Sequence, residues 1–580
     1  MKGIGVSAGI AFAKAYLIED DIQVKKYEIS DIGKELQRLS DAVEKAKEQV
    51  KGIMEAALKD CGSENAEIFD FQLLLLENKD FIKEIRDFVE ESKVNCEYAL
   101  DMITDSWIRR FSELDNAYMR ERAIDIVDIS KRLKLILMEK QAKSLADMAG
   151  EAIIVANELT PSQVIGLNRK KVKGMAIAHG GRTSHTVIIA RALGIPCVVG
   201  ITDLLDNVKH GEDILIDGDK GEVIVSPSDQ QILEFKKYEN AFKKEMEELK
   251  EFRNFGSITE DGFEIKLLAN ISSRDDADMM LESNGDGVGL FRTEFLYMAG
   301  SMPPSEDAQF TVYDGIAKSL GEKPLTIRTL DVGGDKNIPY LNMAKEDNPF
   351  LGFRAIRYCL DNRELFKVQL SAILRSGAQM KNVKVMFPLI ATLDELRQAK
   401  AILQEVKDEL RAKEVPFNED IKVGMMIETP AAVMMAESFA REVDFFSIGT
   451  NDLIQYVFAA DRMNEKVAYL NSHFHPLLFR MVKYIKDSAD KYGATVEICG
   501  QTAEIPYLVP IWIAIGIENL SVSPSSILKL RRLICNSNRE KMKAVLDEVL
   551  SFDSASEVEN CLKSNFGDER QKFREKRGEL

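Results

Sequence analysis

The second half of the chain repeats one short pattern eight times, and this repeat limits the possible folds more than any other feature. Each unit has a short run rich in β-forming residues, a turn or polar cluster, and then a stretch with helical periodicity. The runs are at residues 265–270, 287–291, 325–330, 383–387, 423–427, 445–448, 495–498 and 519–522. Eight β-α units predict a (β/α)8 barrel. An open doubly wound sheet is the alternative, and the absence of a Gly-rich dinucleotide loop after the first run disfavours it.

The first half has a different organisation. Residues 31–141 carry almost no strand signal and predict a helical subdomain, with amphipathic helices at 36–58, 66–88 and 116–138. Residues 1–30 and 142–227 hold short apolar runs separated by Gly, Asp and Pro turns, which predict one discontinuous α/β domain.

The charged stretch at 228–256 predicts a helical linker, although an ordinary surface helix explains it equally well. Residues 257–580 then form the barrel domain. The predicted fold class is α/β multidomain: an α/β domain with an inserted helical subdomain, followed by a (β/α)8 barrel.

Composition excludes several classes of protein. The chain has 77 Lys and Arg against 95 Asp and Glu, a net charge of −18, so we expect no nucleic-acid surface. Its seven cysteines are scattered and form no CxxC pair, which disfavours a disulfide framework or a zinc site. No apolar run reaches the ~20 residues that span a bilayer. We therefore expect a cytoplasmic protein with no membrane segment.

A candidate nucleophile lies in the segment HGGRTSHTVIIAR at residues 179–191. Thr183 or Ser184 can cap a helix there, and His185 then falls in its first turn. Unpaired backbone N–H groups and the positive end of the helix stabilise an anion at that position. Neutral imidazole is also a nucleophile towards phosphorus near pH 7. We interpret His185 as a phosphate carrier, the alternative being a residue that merely caps or packs at the helix end.

Three arginines mark the mouth of the predicted barrel. Chemistry in such barrels is built at the carboxyl ends of the strands, where Arg292 and Arg328 lie, and Arg462 follows the sixth strand by one short helix. Guanidinium groups bind phosphate and carboxylate bidentately. Together they predict a clamp for a phosphorylated acid, whereas each arginine alone is more simply explained by a surface ion pair.

Two carboxylates and a thiol complete the candidate site. Glu428 and Asp452 supply hard oxygen ligands suited to Mg²⁺, which usually takes one or two protein carboxylates. Cys499 at the end of the seventh strand could be a nucleophile, an acid or a packing residue. A thiol with a pKa near 8.5 is mostly protonated at neutral pH. We therefore favour Cys499 as a proton donor beside an anionic substrate.

Several stretches taken together are highly specific. They are GIGVSAGIA, GGRTSHTVIIAR, GVGLFRTEFLYM, TIRTLDVGGDK, NPFLGFRAIR, MFPLI, GMMIETPAA, IGTNDLIQY, AADR and ICG. Through them the chain resembles, over essentially its whole length, the Enzyme I family of the bacterial phosphoenolpyruvate-dependent sugar phosphotransferase system. The resemblance implies a phosphotransferase that takes the phosphoryl group of phosphoenolpyruvate, releases pyruvate and serves sugar uptake.

The resemblance also implies roles for individual residues. His185 would be the phosphohistidine of the α/β domain, and Cys499 would protonate the pyruvate enolate. Phosphoenolpyruvate would be held by Arg292, Arg328, Asn451, Asp452 and Arg462, and Mg²⁺ by Glu428 and Asp452. The helical subdomain would bind the phosphocarrier protein HPr, and the barrel would form a homodimer. Because His185 and the barrel mouth lie in different domains, the α/β domain would have to move towards the barrel to collect the phosphoryl group and away from it to deliver the group to HPr.

A few positions depart from the family pattern. After Cys499 and Gly500 this chain has Gln501, Thr502 and Glu504, where the family usually has Glu, then Met or Leu, then Ala-Gly. Met463 stands where some members have Gly, and Gln72 replaces a frequent histidine in the helical subdomain. None of these changes removes a residue assigned to phosphate or metal.

Two other functions remain open from the sequence. A pyruvate phosphate dikinase or phosphoenolpyruvate synthase has a similar architecture, but it also needs an ATP-binding module for which no segment is spare. The second alternative is a regulatory scaffold that binds the phosphocarrier without turnover. It is suggested by the residues after Cys499 that differ from the family pattern. The first alternative predicts that activity depends on ATP. The second predicts that the chain binds the phosphocarrier without turnover.

Overall fold

The computed structural model describes residues 1–7, 9–18, 24–60, 71–112, 123–138, 150–157, 159, 171–179, 190, 195–298, 302–333, 338–341, 343–344, 346–462, 464 and 466–567. The chain divides into two compact units, residues 1–242 and 243–578. The domain boundaries drawn from the sequence are finer than this division and stay predictions. Among the described residues, no helix is long and apolar enough to cross a membrane.

A seven-stranded mixed sheet forms the α/β part of the first unit. Its strands are β1 Ile4–Ser7, β2 Ile10–Ile18, β3 Ala152–Ala156, β4 Val172–Ile177, β5 Cys197–Val199, β6 Asp213–Asp217 and β7 Glu222–Val225, in the order β1-β5-β4-β3-β2-β6-β7. The central strand β3 reads AIIVA and is buried throughout. Its alternate residues enter two separate apolar clusters, one on each face of the sheet, as expected of a strand covered on both sides.

Among the described residues of the first unit, four longer helices surround a separate apolar core: α1 Ile32–Asp60, α2 Lys79–Ser92, α3 Cys96–Ser112 and α4 Ala123–Leu137. Leu75 and Leu76, in the helical residues 71–77, belong to the same core. A short helix, α5 Leu204–Asn207, belongs to the α/β part. The prediction of one helix over 66–88 is wrong. Residues 71–77 are helical, but Asn78 then begins α2, accepting hydrogen bonds from the backbone of Asp80 and Phe81.

Eight parallel strands close into a barrel in the second unit, which confirms the central prediction from the sequence. They are β8 Lys266–Ile271, β9 Gly287–Arg292, β10 Leu325–Arg328, β11 Val383–Phe387, β12 Lys422–Ile427, β13 Phe445–Ile448, β14 Thr495–Ile498 and β15 Asn519–Val522. Strand β15 pairs with β8, with Asn519 opposite Lys266, and this pairing closes the barrel. An open sheet is therefore excluded.

Helices surround and extend the barrel. They are α6 Asp229–Glu251, α7 Arg274–Glu282, α8 Glu294–Met298, α9 Glu306–Leu320, α10 Ile356–Asp361, α11 Arg363–Ser376, α12 Leu393–Ala412, α13 Pro430–Met434, α14 Ala436–Ala440, α15 Thr450–Val457, α16 Pro476–Asp490, α17 Val509–Ile515, α18 Ile527–Cys535, α19 Arg539–Ser551 and α20 Ala555–Phe566. Single 3₁₀ turns lie at Phe252–Asn254, Pro339–Leu341, Pro349–Leu351, Ala468–Leu470, Gln501–Ala503 and Pro524–Ser526.

The sequence predicts one amphipathic stretch over 353–375, and the structure divides it at Asn362. The backbone of Asn362 leaves the helical region, and its side-chain amide donates to the carbonyl of Tyr358 at 3.0 Å. An Asn side chain commonly ends a helix in this way because it competes for local backbone groups. Helices α10 and α11 are the result.

The charged stretch predicted as a linker forms α6. Near its carboxyl end Leu249 is buried, and Arg532 of α18 donates to Glu245 at 3.0 Å. Arg531, also on α18, donates to the carbonyls of Phe252 and Arg253 directly after α6. The carboxyl end of α6 therefore packs on the barrel unit through hydrogen bonds with α18.

Candidate active site at the barrel mouth

Two arginines stand side by side at the carboxyl ends of neighbouring strands. Arg292 ends β9, Arg328 ends β10, and the two are register partners in the parallel pairing. The hydroxyl of Thr293 donates to the carbonyl of Arg328 at 2.8 Å and fixes these strand ends together. The Arg292 guanidinium faces the ring of Phe295, 5.3 Å from its centroid. Strand pairing thus places two positive charges at one edge of the mouth.

Arg328 is buried among carboxylates. Its Nη2 atom lies 2.7 Å from Oε1 of Glu294 and 3.1 Å from Oδ2 of Asp331. Burial opposes the charge of the guanidinium, but Glu294, Asp331 and Glu428 outweigh that effect and raise its pKa. Arg328 is consequently held charged and in one orientation.

A third arginine, Arg354, extends this network across the mouth. Its Nη2 atom lies 2.9 Å from Oδ1 of Asp331 and 3.3 Å from Oδ2 of Asp452. Nη1 donates to the hydroxyl of Tyr456 at 3.1 Å. Asp452 in turn accepts from Nη1 of Arg462 at 2.9 Å. Arg328 and Arg462 are therefore joined through alternating acids and one additional arginine.

The sequence interpretation assigned no role to Arg354, Asp331 or Glu294. Arg354 lies within NPFLGFRAIR, a stretch recognised for its resemblance, but it sits on an irregular loop between a 3₁₀ turn and α10. Glu294 and Asp331 lie just beyond the strand ends that carry Arg292 and Arg328. That position could have indicated from the sequence that they belong to the site. The structure brings all three into the same buried network as Arg328.

Glu428 lies directly after β12 and is fully buried. Its Oε1 atom accepts from the backbone N–H of Leu389 at 2.6 Å. Burial raises the pKa of Glu428 to about 8, Asp452 and Asp331 add to the rise, and Arg328 opposes it. Two nearby carboxylates that repel each other in this way are the arrangement that a bound cation relieves.

The residues present fit a divalent ion bound largely by its substrate. Within the described ranges, no three His, Cys, Asp or Glu side chains are grouped to hold a metal by themselves. Glu428 and Asp452 provide two hard oxygen ligands, and Mg²⁺ often takes one or two carboxylates with water and substrate oxygens filling its remaining positions. The donor set is thus suited to a shared metal and not to an all-protein cage.

Cys499 follows β14 and points into the barrel. Its Sγ atom lies 3.5 Å from the carbonyl of Ile448, to which the thiol donates. Burial raises the thiol pKa to about 12, and the acidic side chain of Glu497 adds to the rise. The pKa is therefore higher than the ordinary value expected from the sequence, and the thiol is protonated at neutral pH.

The residues that depart from the family pattern hold the loop after Cys499 in place. The backbone N–H of Gln501 donates to Oδ1 of Asn451 at 3.1 Å, and the hydroxyl of Thr502 lies 3.0 Å from that of Thr450. Glu504 accepts from the backbone N–H of Ser523 at 3.1 Å. Asn451 thereby couples the loop after β13 to the loop after β14.

Other residues that the sequence singled out belong to the first unit or fall outside the described residues. Gln72 is buried in the helical core, where its amide donates to Asp128 at 2.9 Å. His185 and Met463 lie outside the described residues. The nearest described histidine in the sequence, His179, donates its backbone N–H to the carbonyl of Asn157 at 2.9 Å, just beyond β3.

Comparison with known proteins identifies related domains along most of the chain. Residues 246–539 match the PEP-binding domain of PEP-utilising enzymes, residues 2–122 match their N-terminal domain, and residues 148–221 match their mobile domain. The match to the PEP-binding domain covers the barrel and every described residue of the candidate site.

Full-length relatives carry one name. The chain is 44% identical to phosphoenolpyruvate-protein phosphotransferase of Geobacillus stearothermophilus, over 98% of both chains. It is 43% identical to that of Priestia megaterium, over 98% of this chain and 99% of the relative, and 42% identical to that of Bacillus subtilis over the same shares. With such identity along its whole length and a PEP-binding domain around the arginine network, the chain belongs to the phosphoenolpyruvate-protein phosphotransferase family.

Proposed function

We propose that this chain moves the phosphoryl group of phosphoenolpyruvate to its own His185 and then to the phosphocarrier protein HPr, releasing pyruvate in the first step of sugar uptake. The supporting observation is the buried alternation of arginines and acids that joins Arg328 to Arg462 across the barrel mouth. Such a preorganised set of charges is what a trianionic substrate needs, because it is built before the substrate arrives.

Arginines do most of the binding in this proposal. Arg292, Arg328 and Arg462 contact the phosphate and carboxylate oxygens, with Asn451 and Asp452 beside them. The Nε atoms of Arg292 and Arg328 are buried and have no hydrogen-bond partner within the described part of the chain. Buried donors of this kind favour an anionic ligand, since an unsatisfied donor costs free energy. Phosphoryl transfer passes through a loose state with charge spread over the equatorial oxygens, which these guanidinium groups stabilise.

The proposed metal ligands are Glu428 and Asp452. Mg²⁺ bound there would supply positive charge to the oxygens of the substrate. Glu428 would hold it through Oε2, since its Oε1 accepts from Leu389. Asp452 would hold it through lone pairs that remain on its two oxygens, each of which already accepts from one arginine, Arg354 or Arg462.

Cys499 is the proposed proton donor to the carbon skeleton of the substrate. Loss of the phosphoryl group leaves the enolate of pyruvate, and its methylene carbon needs a proton. The buried, protonated thiol of Cys499 supports its role as that donor. The thiol lies at the end of the strand next to the one that leads to Asn451, so the proton source and a substrate ligand are adjacent.

The partners follow from the same proposal. HPr binds the helical subdomain, where Leu74, Met102 and Val127 are exposed apolar side chains. The barrel forms a homodimer, for which the exposed Leu351 and Met434 offer apolar surface. The protein acts in the cytoplasm, without membrane or nucleic acid.

The test is transfer of label from radioactive phosphoenolpyruvate, with Mg²⁺ and without ATP, to the chain and to its His185→Ala variant. Acid-labile label on the unmodified chain alone, chased onto HPr when it is added, is the expected result. Labelling only from ATP would replace the proposal with a dikinase. HPr binding without labelling would replace it with a scaffold.

A further inference from the structure

A second buried acid, Glu497, lies inside the barrel below the mouth. It is on β14 two residues before Cys499, so both side chains point to the same, interior face of the strand. In the pairing of β13 with β14, Ser447 is its register partner. Glu497, Ser447 and Cys499 therefore share the interior of the barrel, with Cys499 at the mouth end and Glu497 below it.

The hydroxyl of Ser447 lies between the two titratable groups. Its Oγ atom is 2.9 Å from Oε1 of Glu497. The same hydroxyl acts on the Cys499 thiol as a hydrogen-bonding neighbour that lowers its pKa, and the two side chains share the interior face of β13 and β14. A serine hydroxyl both donates and accepts, so rotation of its hydrogen can turn it from the carboxyl towards the sulfur.

The charged groups around this trio are few. Lys384 of β11 faces Glu497 and is partly exposed, whereas Arg328 and Glu428 act on Cys499 from the mouth. Burial raises the pKa of Glu497 to about 7, and the contacts with Ser447 and Lys384 oppose the rise. A large fraction of the carboxyl therefore keeps its proton at neutral pH, while the thiol beyond Ser447 is protonated in its resting state.

We propose that Glu497 is a positioning residue that reloads Cys499, returning a proton to its sulfur through the hydroxyl of Ser447 after each turnover. The inference rests on the proposed function, in which Cys499 gives its proton to the pyruvate enolate. Without a nearby source, a thiolate left in this buried site would wait for a proton from water, since the thiol is almost inaccessible.

The steps balance. The enolate carbon forms a C–H bond with the proton of Cys499 as the S–H bond breaks, and the electron pair stays on sulfur. The Ser447 hydroxyl then gives its proton to the sulfur and takes the carboxyl proton of Glu497. A carboxylate then remains at Glu497 beside the ammonium of Lys384. That ammonium gives a proton to the carboxylate, and the amine takes one from solvent at its partly exposed end.

Glu497→Gln removes the proton while keeping shape and hydrogen bonding to Ser447. Pyruvate formation is followed from the first turnover in a rapid-quench experiment with phosphoenolpyruvate, Mg²⁺ and HPr. The first turnover uses the proton already on Cys499, so we expect its rate to stay within about twofold of the unmodified chain. Later turnovers need reloading, and we expect them to slow about tenfold, a modest share of the usual effect of a proton donor.

The pH profile gives a second readout. In the unmodified chain the steady-state rate should fall as pH rises through about 7, because Glu497 loses the proton that it supplies. This limb should vanish in Glu497→Gln. Ser447→Ala, which leaves the carboxyl in place but breaks the path, should show the same difference between first and later turnovers.

Glu557→Gln is the matched control, since Glu557 also accepts from a serine hydroxyl, that of Ser554 at 2.6 Å, but on the exposed helix α20. Glu557→Gln should change neither the first turnover nor the later turnovers. If the unmodified chain forms no pyruvate, or Cys499→Ser is as fast as it, the proposed function and the relay fall together. If the unmodified chain does form pyruvate and Cys499→Ser is slower, but Glu497→Gln keeps its steady-state rate or slows equally in both phases, only the relay is overturned.

Discussion

Arg354 is a buried arginine that balances the negative charge of several acids at the barrel mouth. It is buried, it contacts Asp331 and Asp452, and Glu428 lies close enough to add to the rise in its pKa. Three acids therefore depend on one guanidinium that the sequence analysis left without a role. A buried ion pair contributes little net stability, but the loss of one partner leaves charges uncompensated.

For Arg354→Gln we expect the barrel to lose about 3–5 kcal/mol of stability, as is usual when a buried ion pair is broken. Turnover of phosphoenolpyruvate should fall with it, because Asp452 loses one of the two arginines that orient it. Urea unfolding and pyruvate formation measure the two effects. Arg363→Gln breaks an exposed pair with Glu405 and should cost less than about 1 kcal/mol. Equal losses in both variants would contradict the prediction.

Glu497 also predicts how stability depends on pH. Its folded pKa is raised from 4.5 to about 7, so the folded state holds the proton more tightly than the unfolded state. Stability is then full below about pH 4.5 and is lost as pH rises through about 7, by ~3 kcal/mol at most. Calorimetric melting of the barrel between pH 5 and 8 should show a shallower decline for Glu497→Gln than for the unmodified chain. Parallel curves would show that Glu497 does not titrate in this range.

At the scale of elements, the turns that follow the strands decide how the site residues meet. Gly500 connects β14 to the 3₁₀ turn Gln501–Ala503 and passes very close to the start of α15. A Cβ atom at position 500 would lie 2.0 Å from Oγ1 and 2.8 Å from the backbone N of Thr450. The loops that carry Cys499 and Asn451 can approach each other this closely only with glycine at that point.

Gly500→Ala should therefore separate the two loops and slow pyruvate formation by at least about tenfold. We expect the barrel to remain folded, with a loss of about 1–3 kcal/mol, as is typical of overpacking. Gly315→Ala is the control, because a Cβ there meets only Nη1 of Arg274, at 3.6 Å. Steady-state rates and circular dichroism melting distinguish the variants. A Gly500→Ala chain with the unmodified rate would show that the loops adapt.

Strands were predicted better than helix ends. The runs at 383–387, 445–448, 495–498 and 519–522 agree with the structure residue for residue, because β-branched and apolar runs bounded by turn residues are local signals. The divided helices differ for a local reason as well. Asn78 caps one helix and Asn362 interrupts another, and neither changes the apolar periodicity on which the prediction rested.

At the scale of the whole molecule, the candidate substrate and metal residues all lie in one unit, whereas the candidate phosphate carrier lies in the sequence of the other. The barrel unit has its own closed sheet and a continuous apolar core. Helix α6 crosses the boundary between the units, and its carboxyl end packs on the barrel.

A fragment of residues 229–580, which keeps α6 complete, should fold alone and bind phosphoenolpyruvate with Mg²⁺. Ligand at 100 times its Kd should stabilise the fragment by about 2.7 kcal/mol, seen as a rise in Tm. The same fragment carrying Arg292→Ala should show a smaller rise. Pyruvate should form slowly at best when residues 1–228 are added as a separate chain, because linkage supplies the effective concentration. Rapid turnover by the mixed fragments would contradict this.

Short stretches of the sequence are enough to predict the eight β-α units, the arginines and acids at their carboxyl ends, and the family. These are properties of short stretches, since periodicity and strand-end position depend on neighbours along the chain. The folded barrel was needed to show that Arg354 contacts Asp452, 98 residues away in the sequence, and that Ser447 contacts Glu497, 50 residues away. Those contacts arise from barrel closure and strand register, which bring distant residues together and remove water from between them. The pKa values of Glu428, Glu497 and Cys499 depend on that same burial, so no local pattern could have predicted them.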